Sequence, residues 1–381
     1  MLPEEVRARV GSAVADWSPA ALGGDHLQEG ARVVAAMSGG VDSSVATALL
    51  HASGFEVVGV SMRLGSSAAR SDGHQGCCSL DDFEDARRVA DKLDIPHYVV
   101  DLRDVFQEKI IDPFVSSYAN GRTPNPCALC NRDVKFDAFW KYAEEVGAAA
   151  VGTGHYARIE RHGEGFLLRT GLDPSKDQSY FLFTLGQAEL ARTLFPVGGM
   201  DKVAVREVAA SLDLPVANKP ESQDICFVAG ATYSDFVETQ LGHDERKPGA
   251  IVDQSGLEVG RHDGIHRFTV GQRRGLGGGA AAPRFVTSID PDSATVVVGG
   301  RQDLLREEFW VDGVSWTDQP RGGHARVRLR HRHEPVACRV ETQGRRARIS
   351  FDTPTGGVSP GQAAVLYDDD RVLGGGWITP Q

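Results

Sequence analysis

A chain of 381 residues is longer than one hydrophobic core usually supports, so two or three domains are expected. Hydrophobic residues make up 41% and charged residues 24%, and no apolar run approaches the roughly 18–20 residues of a membrane span, so no membrane partner is expected. The net charge of −11 argues against indiscriminate coating of nucleic acid, and six cysteines in so long a chain are no disulfide framework but suit metal or sulfur chemistry in a reducing cytoplasm.

The first thirty residues carry Glu4, Glu5, Arg7 and Arg9 and lack a continuous apolar stretch, so no secretory leader is expected. Residues 1–30 stand apart as an N-terminal extension, with Val6, Val10 and Val14 on one side of a short predicted helix. The run Val33-Val34-Ala35-Ala36-Met37 predicts a buried strand, and Val45-Ala46-Thr47-Ala48-Leu49-Leu50 a helix. Between them lies Ser38-Gly39-Gly40-Val41-Asp42-Ser43-Ser44. Two adjacent glycines let backbone amides turn inward into an anion nest, and the helix N-terminus adds its own N–H groups. Ser43 and Ser44 supply hydroxyls at the mouth, and Asp42 can orient the loop or approach a metal. No Lys-Ser/Thr follows the glycines, so this is not a loop that grips a γ-phosphate. It resembles the pyrophosphate (PP) loop of ATP-pyrophosphatases, which cleave ATP between its α- and β-phosphates and adenylate a substrate.

Glu56–Met62 predicts a second strand, with Met62 either in the core or covering an adenine. Ser79-Leu80-Asp81-Asp82 opens a helix with Phe83, Ala86, Val89, Ala90 and Leu93 on one face. A third strand at Tyr98–Val100, a helix from about Val105 to Tyr118, a helix marked by Val134, Phe136, Phe139, Trp140 and Ala143, and a strand at Ala148–Val151 follow. This alternation predicts an α/β fold, a doubly wound parallel sheet with ligands at the carboxyl ends of its strands. The opening loop, Met62 and Thr153-Gly154-His155-Tyr156 all fall at such ends. A Gly163–Gly165 turn predicts a hairpin, and Asp201 caps a helix carrying Val203, Val208 and Leu212. Near Pro215–Pro220 the texture changes, and from Gly249 onward short strands alternate with Gly, Pro and Asp turns, the pattern of a small β-barrel or sandwich. Gly277-Gly278-Gly279-Ala280-Ala281-Ala282-Pro283 reads as a loop or linker. The expected domains are 31–217, 218–285 (a central, linking domain) and a C-terminal β-barrel at 286–381.

Thr123-Pro124-Asn125-Pro126-Cys127-Ala128-Leu129-Cys130-Asn131 is the second motif. Its prolines stiffen the loop, and C-x-x-C places two thiols on one side of the turn into the next helix, whose N-terminus favours thiolate. Asp224-Ile225-Cys226-Phe227 lies far along the chain, but a domain-sized return can bring it to that pair. A C-x-x-C is often half of a structural zinc site, yet no second C-x-x-C and no His pair at finger spacing is present. Three thiolates can instead hold a [4Fe-4S] cluster with one iron open to sulfide. Alternatively, one thiol carries a persulfide and a second resolves it as a disulfide. Cys77, Cys78 and Cys338 read as small core residues. Further on, Arg326, Arg328 and Arg330 alternate with Val327 and Leu329, so one strand face carries three guanidinium groups. His331, Arg332 and His333 extend it, Arg345, Arg346 and Arg348 are expected on a neighbouring strand, and Arg273 and Arg274 sit in a Gly-rich loop. On a chain acidic elsewhere this points to an RNA backbone, with a solvated arginine face as the plainer alternative.

The loop Ser38–Ser44, Asn125-Pro126 followed by Cys130-Asn131, Thr153-Gly154-His155-Tyr156, Lys176-Asp177-Gln178-Ser179-Tyr180-Phe181-Leu182, Ile225-Cys226-Phe227, Gly271-Gln272-Arg273-Arg274-Gly275-Leu276 and Pro360-Gly361-Gln362 occur in order. Together they resemble the tRNA-specific 2-thiouridylase family. The resemblance implies an ATP-dependent sulfurtransferase that replaces O2 of the wobble uridine with sulfur through an adenylated intermediate. It implies Cys130 as nucleophile and Cys226 as persulfide carrier. ATP with Mg²⁺ is implied at Ala36, Met37, Ser38, Gly39, Gly40, Val41, Asp42, Ser43, Met62 and Gly154, and tRNA at His155, Lys176, Asp177, Gln178 and Gln362. Asn125 and Pro126, directly before the cysteines, are where the base edge is expected to be read, and Arg330 and His331 join the tRNA set from the arginine face. Cys127 stands where one branch of the family has an acidic residue, so the likeness is to the three-cysteine branch, associated with an iron–sulfur cluster, here on Cys127, Cys130 and Cys226. The implied partners are tRNA and a sulfur donor, either a protein or sulfide. A PP-loop ligase or amidotransferase acting on a small molecule is the rival class; it shares the first loop but has no use for the three cysteines.

Overall fold

The computed structural model describes residues 24–65, 80–220, 225–228, 232–242, 246–276, 283–318 and 323–380. The expected N-terminal helix, Ser79, the Cys77-Cys78 pair and most of the Gly277–Pro283 segment lie outside the described residues. The chain divides into two compact units, Met1–Phe106 with Cys130–Ala229 and Asp370–Val372, and Gln107–Leu129 with Gly230–Asp369 and Leu373–Gln381.

In the first unit, strands β1 (Arg32–Ala36), β2 (Glu56–Arg63), β3 (His97–Asp101) and β4 (Ala150–Gly152) belong to the main sheet. β5 (Ala157–His162) and β6 (Gly165–Thr170) form the expected hairpin, and β7 (Thr193–Leu194) completes the sheet, whose order is β3-β2-β1-β4-β7. Its pairings are all parallel. Near-continuous runs of valine and alanine suit β1 and β2 to burial on both faces, as a parallel sheet requires. The helix Val41–Ala52 is buried on almost every side, and its Leu50 lies where a side chain on Gly152 of β4 would have to go. Helices Leu80–Leu93 and Lys202–Ser211 bury Ala86, Val89 and Ala90, and Val205, Val208 and Ala209. Val203 departs from the expected core face and is 66% exposed, because two residues separate it from Val205 by about 200° around the helix. The start of β17 also clusters here: Arg371 pairs with Arg169 and Val372 with Leu168 of β6, while Asp370 receives Arg158 and Arg169 at 2.7 and 2.5 Å.

The helical stretch expected from Val105 runs through three consecutive segments from Arg103 to Ala119. In the second unit, Phe114 and Tyr118 from this stretch pack on Phe236 and Tyr233 of the helix Tyr233–Gln240, the tyrosine rings stacked at 4.7 Å. Strands β8 (Gly249–Val252), β9 (Glu258–His262), β10 (Phe285–Asp290) and β11 (Thr295–Gly299) form one sheet in the order β10-β11-β8-β9. The remaining strands are β12 (Arg306–Trp316), β13 (His324–Arg328), β14 (Val336–Gln343), β15 (Arg346–Thr355), β16 (Ala363–Asp368) and β17 (Arg371–Ile378). They run β12-β15-β14-β13-β16-β17 and close through β17 on β12, a six-stranded barrel around Phe309, Val311, Val327, Val340, Ile349 and Leu366. Cys338 lies in this core as expected, its thiol pushed up to about 12 by burial and then by Asp352.

Two features of the arginine face differ from expectation. β14 separates β13 from β15, so Arg346 and Arg348 are not on a strand adjacent to Arg326 and Arg328. Their guanidinium groups meet carboxylates, Arg346 with Asp312 at 2.6 Å and Arg348 with Glu341 at 2.6 Å. The alternation around Val327 and Leu329 holds, with both buried, but β13 ends at Arg328 and leaves Arg330 in the following turn.

Candidate active site

β1 is the central strand, and the chain leaves it toward β2 on one side and later toward β4 on the other. Loops at such a switch point part from each other and leave a crevice at the carboxyl ends of the strands. The loop Ser38–Ser44 occupies that position after β1. Gly40 is the N-cap of the helix Val41–Ala52 and provides no side-chain cap, leaving the first-turn amides to the loop itself and to an anion. Ser43 Oγ accepts from the Ser38 amide at 3.1 Å, while Ser43 and Ser44 donate to the Gly40 carbonyl at 3.1 and 2.8 Å. The loop is thus tied across its own mouth. Ser61 of β2 donates to the Met37 carbonyl at 2.7 Å and holds the strand end that feeds it.

Two glycines are required by contact. Gly39 has φ of +72°, and a Cβ there would lie 2.2 Å from the Asp82 carbonyl oxygen. Gly154, after β4, faces the loop so closely that a Cβ would stand 2.7 Å from the Ser43 nitrogen. The structure thus brings Gly154 against the backbone of Asp42 and Ser43. Met62 is the penultimate residue of β2 and is 8% exposed, a core position near the carboxyl end of that strand.

Asp42 is the focus of a network absent from the sequence reading. Its Oδ1 accepts from the Tyr156 hydroxyl at 2.7 Å and from Lys202 Nζ at 2.6 Å. Beneath the loop, Lys219 Nζ donates to the Gly39 carbonyl at 3.0 Å and to Asp82 and Asp85 at 2.6 Å each. Burial alone would lower the Lys219 pKa, but the two carboxylates outweigh it and raise it. Neither lysine could be singled out from sequence, since each is a lone basic residue more than 150 positions from its partner in the loop. The only local cue is Asp201, whose carboxylate accepts from the Ala204 amide and so starts the helix on which Lys202 is first.

Cys127 and Cys130 lie on the short helix Pro126–Cys130, three residues apart and hence on one face. Asn125 is 5% exposed and accepts from the Ala128 amide at 3.2 Å, so its side chain caps this helix, with Pro126 at the first position. The segment before it is held by the Pro360-Gly361-Gln362 motif. Thr123 donates its amide to the Pro360 carbonyl at 2.8 Å, Gln362 Nε2 donates to the Pro124 carbonyl at 3.1 Å, and Gly361 packs on Thr123 with φ of +91°. Gln362, assigned to tRNA by resemblance, thus has a bond to the cysteine loop. Cys130 is buried, and Cys127 and Cys226 are half-buried. Cys226 lies in a turn closed by Val228 on the Ile225 carbonyl, with Phe227 edge-on to Phe106 at 5.7 Å. Among the described residues no three His, Cys, Asp or Glu side chains form a metal-binding group.

The residues assigned to tRNA fall into two kinds. Asp177 is 5% exposed, and its carboxylate accepts from Gly171, Ser179 and the Ser179 hydroxyl, a turn-forming role. Gln178 exchanges bonds with the Tyr156 backbone at 2.9 and 3.0 Å. His155 stacks on Phe136 and bonds Thr153 through Nδ1 at 2.7 Å; burial, then Lys135, pushes its pKa down to about 3. Lys176 is half-buried on the same turn. In the second unit, Arg330 Nη2 donates to the Val270 carbonyl at 3.0 Å, beside a loop in which Gln272 bonds Thr269 and Arg274 and leaves Arg273 and Arg274 exposed. His331 follows Arg330 and is half-buried.

The parallel sheet and its loop define an α/β domain of the PP-loop ATP-pyrophosphatase type. The family described as tRNA methyl transferase HUP domain matches residues 31–230, the tRNA methyl transferase PRC-barrel domain 234–300, and the aminomethyltransferase beta-barrel domain 306–378. The tRNA-specific 2-thiouridylase MnmA of Geobacter metallireducens is 49% identical over 91% of this chain and 96% of its own length. That of Geotalea uraniireducens is 48% identical over 91% and 94%. Among solved structures, the U34-tRNA thiolase NcsA of Methanococcus maripaludis with its [4Fe-4S] cluster is similar at a TM-score of 0.36 and 16% identity, over 62% of this chain and 70% of that one. The chain belongs to the tRNA-specific 2-thiouridylase family, and it is an enzyme, a tRNA-uridine 2-sulfurtransferase. Among the described residues no helix is long and apolar enough to cross a membrane.

Proposed function

We propose that this chain uses ATP to adenylate O2 of the wobble uridine in tRNA and then replaces that oxygen with sulfur carried on its cysteines. The observation that carries the reading is the presence in one chain of a pyrophosphatase-type loop and a near full-length relation to tRNA-specific 2-thiouridylases. The uridine C2 carbonyl is a poor electrophile with oxide as leaving group. Attack of O2 on the α-phosphorus expels pyrophosphate and turns the leaving group into AMP. The amides of the Ser38–Ser44 loop and the first turn of its helix face the phosphates, and Gly154 leaves room for the nucleotide beside Ser43. Asp42, 33% exposed at the mouth, is the carboxylate that fits Mg²⁺; the ion supplies charge neutralisation for the departing pyrophosphate. Lys202, 2.6 Å from Asp42 Oδ1, would keep a positive charge beside the same site.

A thiolate-borne sulfur then attacks C2, and AMP leaves. Cys130 and Cys226 carry this half of the reaction, with Cys226 bearing the terminal sulfur and Cys130 resolving it. With Cys127, the three cysteines have the right chemistry for a [4Fe-4S] cluster, which they would hold through three thiolates and which would present sulfide at its open iron. On the persulfide route the sulfur enters as the sulfane sulfur of a donor protein's persulfide, passed to the Cys226 thiolate with release of the donor's thiol. The Cys130–Cys226 disulfide left after transfer is reduced by an external dithiol before the next turnover. Sulfide would serve only the cluster alternative, where it keeps its oxidation state. The RNA backbone is met by Arg330, His331, Arg273 and Arg274, with 31–217, 218–285 and 286–381 as catalytic, central and barrel domains.

The test is thiolation of tRNA with ATP and a sulfur source, reading 2-thiouridine, AMP and pyrophosphate together, on anaerobically purified protein analysed for iron and sulfide. Expected are one AMP and one pyrophosphate for each 2-thiouridine, and complete loss of 2-thiouridine in Cys226→Ser. Full thiolation by Cys226→Ser would overturn the sulfur route. AMP formation on a small-molecule acceptor without tRNA would favour a ligase.

A further inference from the structure

Asp42 is held from outside its own loop, and both of its donors lead back to one segment. Its Oδ1 accepts from the Tyr156 hydroxyl at 2.7 Å and from Lys202 Nζ at 2.6 Å. Two donors from different elements on one oxygen fix the rotation of the carboxylate. Neither donor is needed to shape the phosphate loop, which Ser38, Ser43 and Ser44 already tie across its mouth.

The main chain of each donor is gripped by the loop 171–178, which carries residues assigned to tRNA. Gln178 donates its amide to the Tyr156 carbonyl at 2.9 Å, and its Oε1 accepts from the Tyr156 amide at 3.0 Å. Gly171 packs so closely on the same residue that a Cβ there would lie 2.8 Å from the Tyr156 carbonyl oxygen. Asp177 binds the ends of this loop together, accepting from the Gly171 and Ser179 amides at 3.1 and 3.0 Å. On the other side, Asp173 Oδ2 accepts from the Lys202 amide at 3.2 Å, and the Asp173 carbonyl accepts from the Lys176 amide at 3.1 Å. Tyr156, Asp177 and Ser179 are buried, whereas Leu172, Pro174 and Ser175 on the outer side of the loop are exposed. A closely packed interior transmits a displacement rather than absorbing it. Contact at the outer side therefore reaches Asp42 through Tyr156 and Lys202, all within the first compact unit.

We propose that Tyr156 is a positioning residue that joins the tRNA-facing loop to Asp42, so that ATP and tRNA each tighten the binding of the other. The inference rests on the reading above, with nucleotide at the phosphate loop, and on tRNA at Lys176, Asp177 and Gln178. Each ligand fixes one end of the same buried connection. The second ligand then meets a segment already held in place, which makes the coupling positive. By linkage the two enhancements are equal. A purely structural hydroxyl would change the affinities without changing how each depends on the other ligand.

The experiment measures binding of α,β-methylene-ATP, which cannot be cleaved between its α- and β-phosphates, with and without saturating tRNA. Binding of tRNA is measured with and without the analogue. In the unaltered protein each ligand tightens the other about fivefold or more, and by the same factor. Tyr156→Phe keeps the buried ring and removes only the hydroxyl, and there the factor falls below about twofold. Asp173→Ala, which removes the bond to the Lys202 amide, lowers the factor less. An unchanged factor in Tyr156→Phe, with affinities shifted equally in the presence and absence of the second ligand, overturns the role. So does a factor of one in the unaltered protein, or a larger loss in Asp173→Ala than in Tyr156→Phe. If the unaltered protein binds no analogue, or no tRNA, the underlying site reading fails, a result distinguishable from failure of the coupling alone.

Discussion

The phosphate loop and the barrel face both present basic groups, yet the two regions use their cations in opposite ways. At the loop, Lys202 and Lys219 are 12% and 18% exposed and are held by carboxylates and a loop carbonyl at 2.6–3.0 Å. On the barrel, Arg346 and Arg348 are 57% and 37% exposed and sit across strands from Asp312 and Glu341. Exposed pairs of this kind contribute about 0–1 kcal/mol and are screened by salt, whereas partly buried charges lose much more when a partner is removed. Cation count is therefore a poor guide to function here. Pairing and burial decide which cations shape a site and which merely decorate a surface.

The harshest way to break that contrast is Gly39→Ala. The new Cβ would need a left-handed backbone and the space of the Asp82 carbonyl oxygen. The strain alone costs about 1–3 kcal/mol, and ATP-dependent pyrophosphate release is expected to vanish together with a fall in Tm. An alanine that leaves both unchanged would show that the loop can relax away from helix Leu80–Leu93. A milder test removes charge without changing shape: Asp42→Asn, or Lys202→Met, lowers kcat/KM for ATP by about a hundredfold, and Mg²⁺ dependence shifts only in Asp42→Asn. Equal Mg²⁺ profiles in both variants would deny Asp42 its cation role.

His155 sharpens the contrast through pH. Unfolded, its imidazole titrates near 6.5; in the fold, burial and then Lys135 push it down to about 3. The folded state thus prefers the neutral ring, so the unfolded state binds more protons between those values. Stability is complete above about pH 6.5 and declines as pH falls toward about 3, by up to about 1.4 kcal/mol per pH unit from this group. Denaturant unfolding at pH 7, 6 and 5 should show that loss, and His155→Gln should flatten it. An unchanged slope in the variant would assign the acid lability elsewhere.

Local chemistry made much of this legible. Valine-rich runs fixed β1 and β2, two glycines marked the loop, and alternation around Val327 and Leu329 marked a barrel strand. Long-range pairing was not legible. Lys202, Lys219 and Tyr156 reach the loop only because the sheet order β3-β2-β1-β4-β7 folds distant segments onto it. The expectation that Arg345, Arg346 and Arg348 neighbour β13 failed for the same reason, since strand order in a closed barrel is set by topology and β14 intervenes. Asn125 is expected at the base from its place before the cysteines and Asp177 from the family resemblance; the structure adds that Asn125 caps a helix and Asp177 closes a turn, local roles that leave the same trace in sequence. For the cysteines, spacing showed two thiols on one helix face and could not place Cys226.

The smallest expected effect bears most directly on which arginines meet RNA. Each phosphate contact releases condensed counterions, so the logarithm of tRNA affinity falls with the logarithm of salt concentration in proportion to the number of contacts. Arg348 lies 2.6 Å from Glu341 and 3.6 Å from Glu308, and its charge is largely cancelled before any phosphate arrives. Arg330 donates instead to a neutral carbonyl and stands beside the exposed Arg273 and Arg274. Arg330→Ala should reduce the slope of the salt dependence by about one, while Arg348→Ala should leave it within measurement error. Binding curves across a salt series give both numbers in one experiment. Equal slopes for the two variants would mean that carboxylate pairing does not sort the barrel arginines, and a larger change in Arg348→Ala would move the RNA track to the β15 side of the barrel.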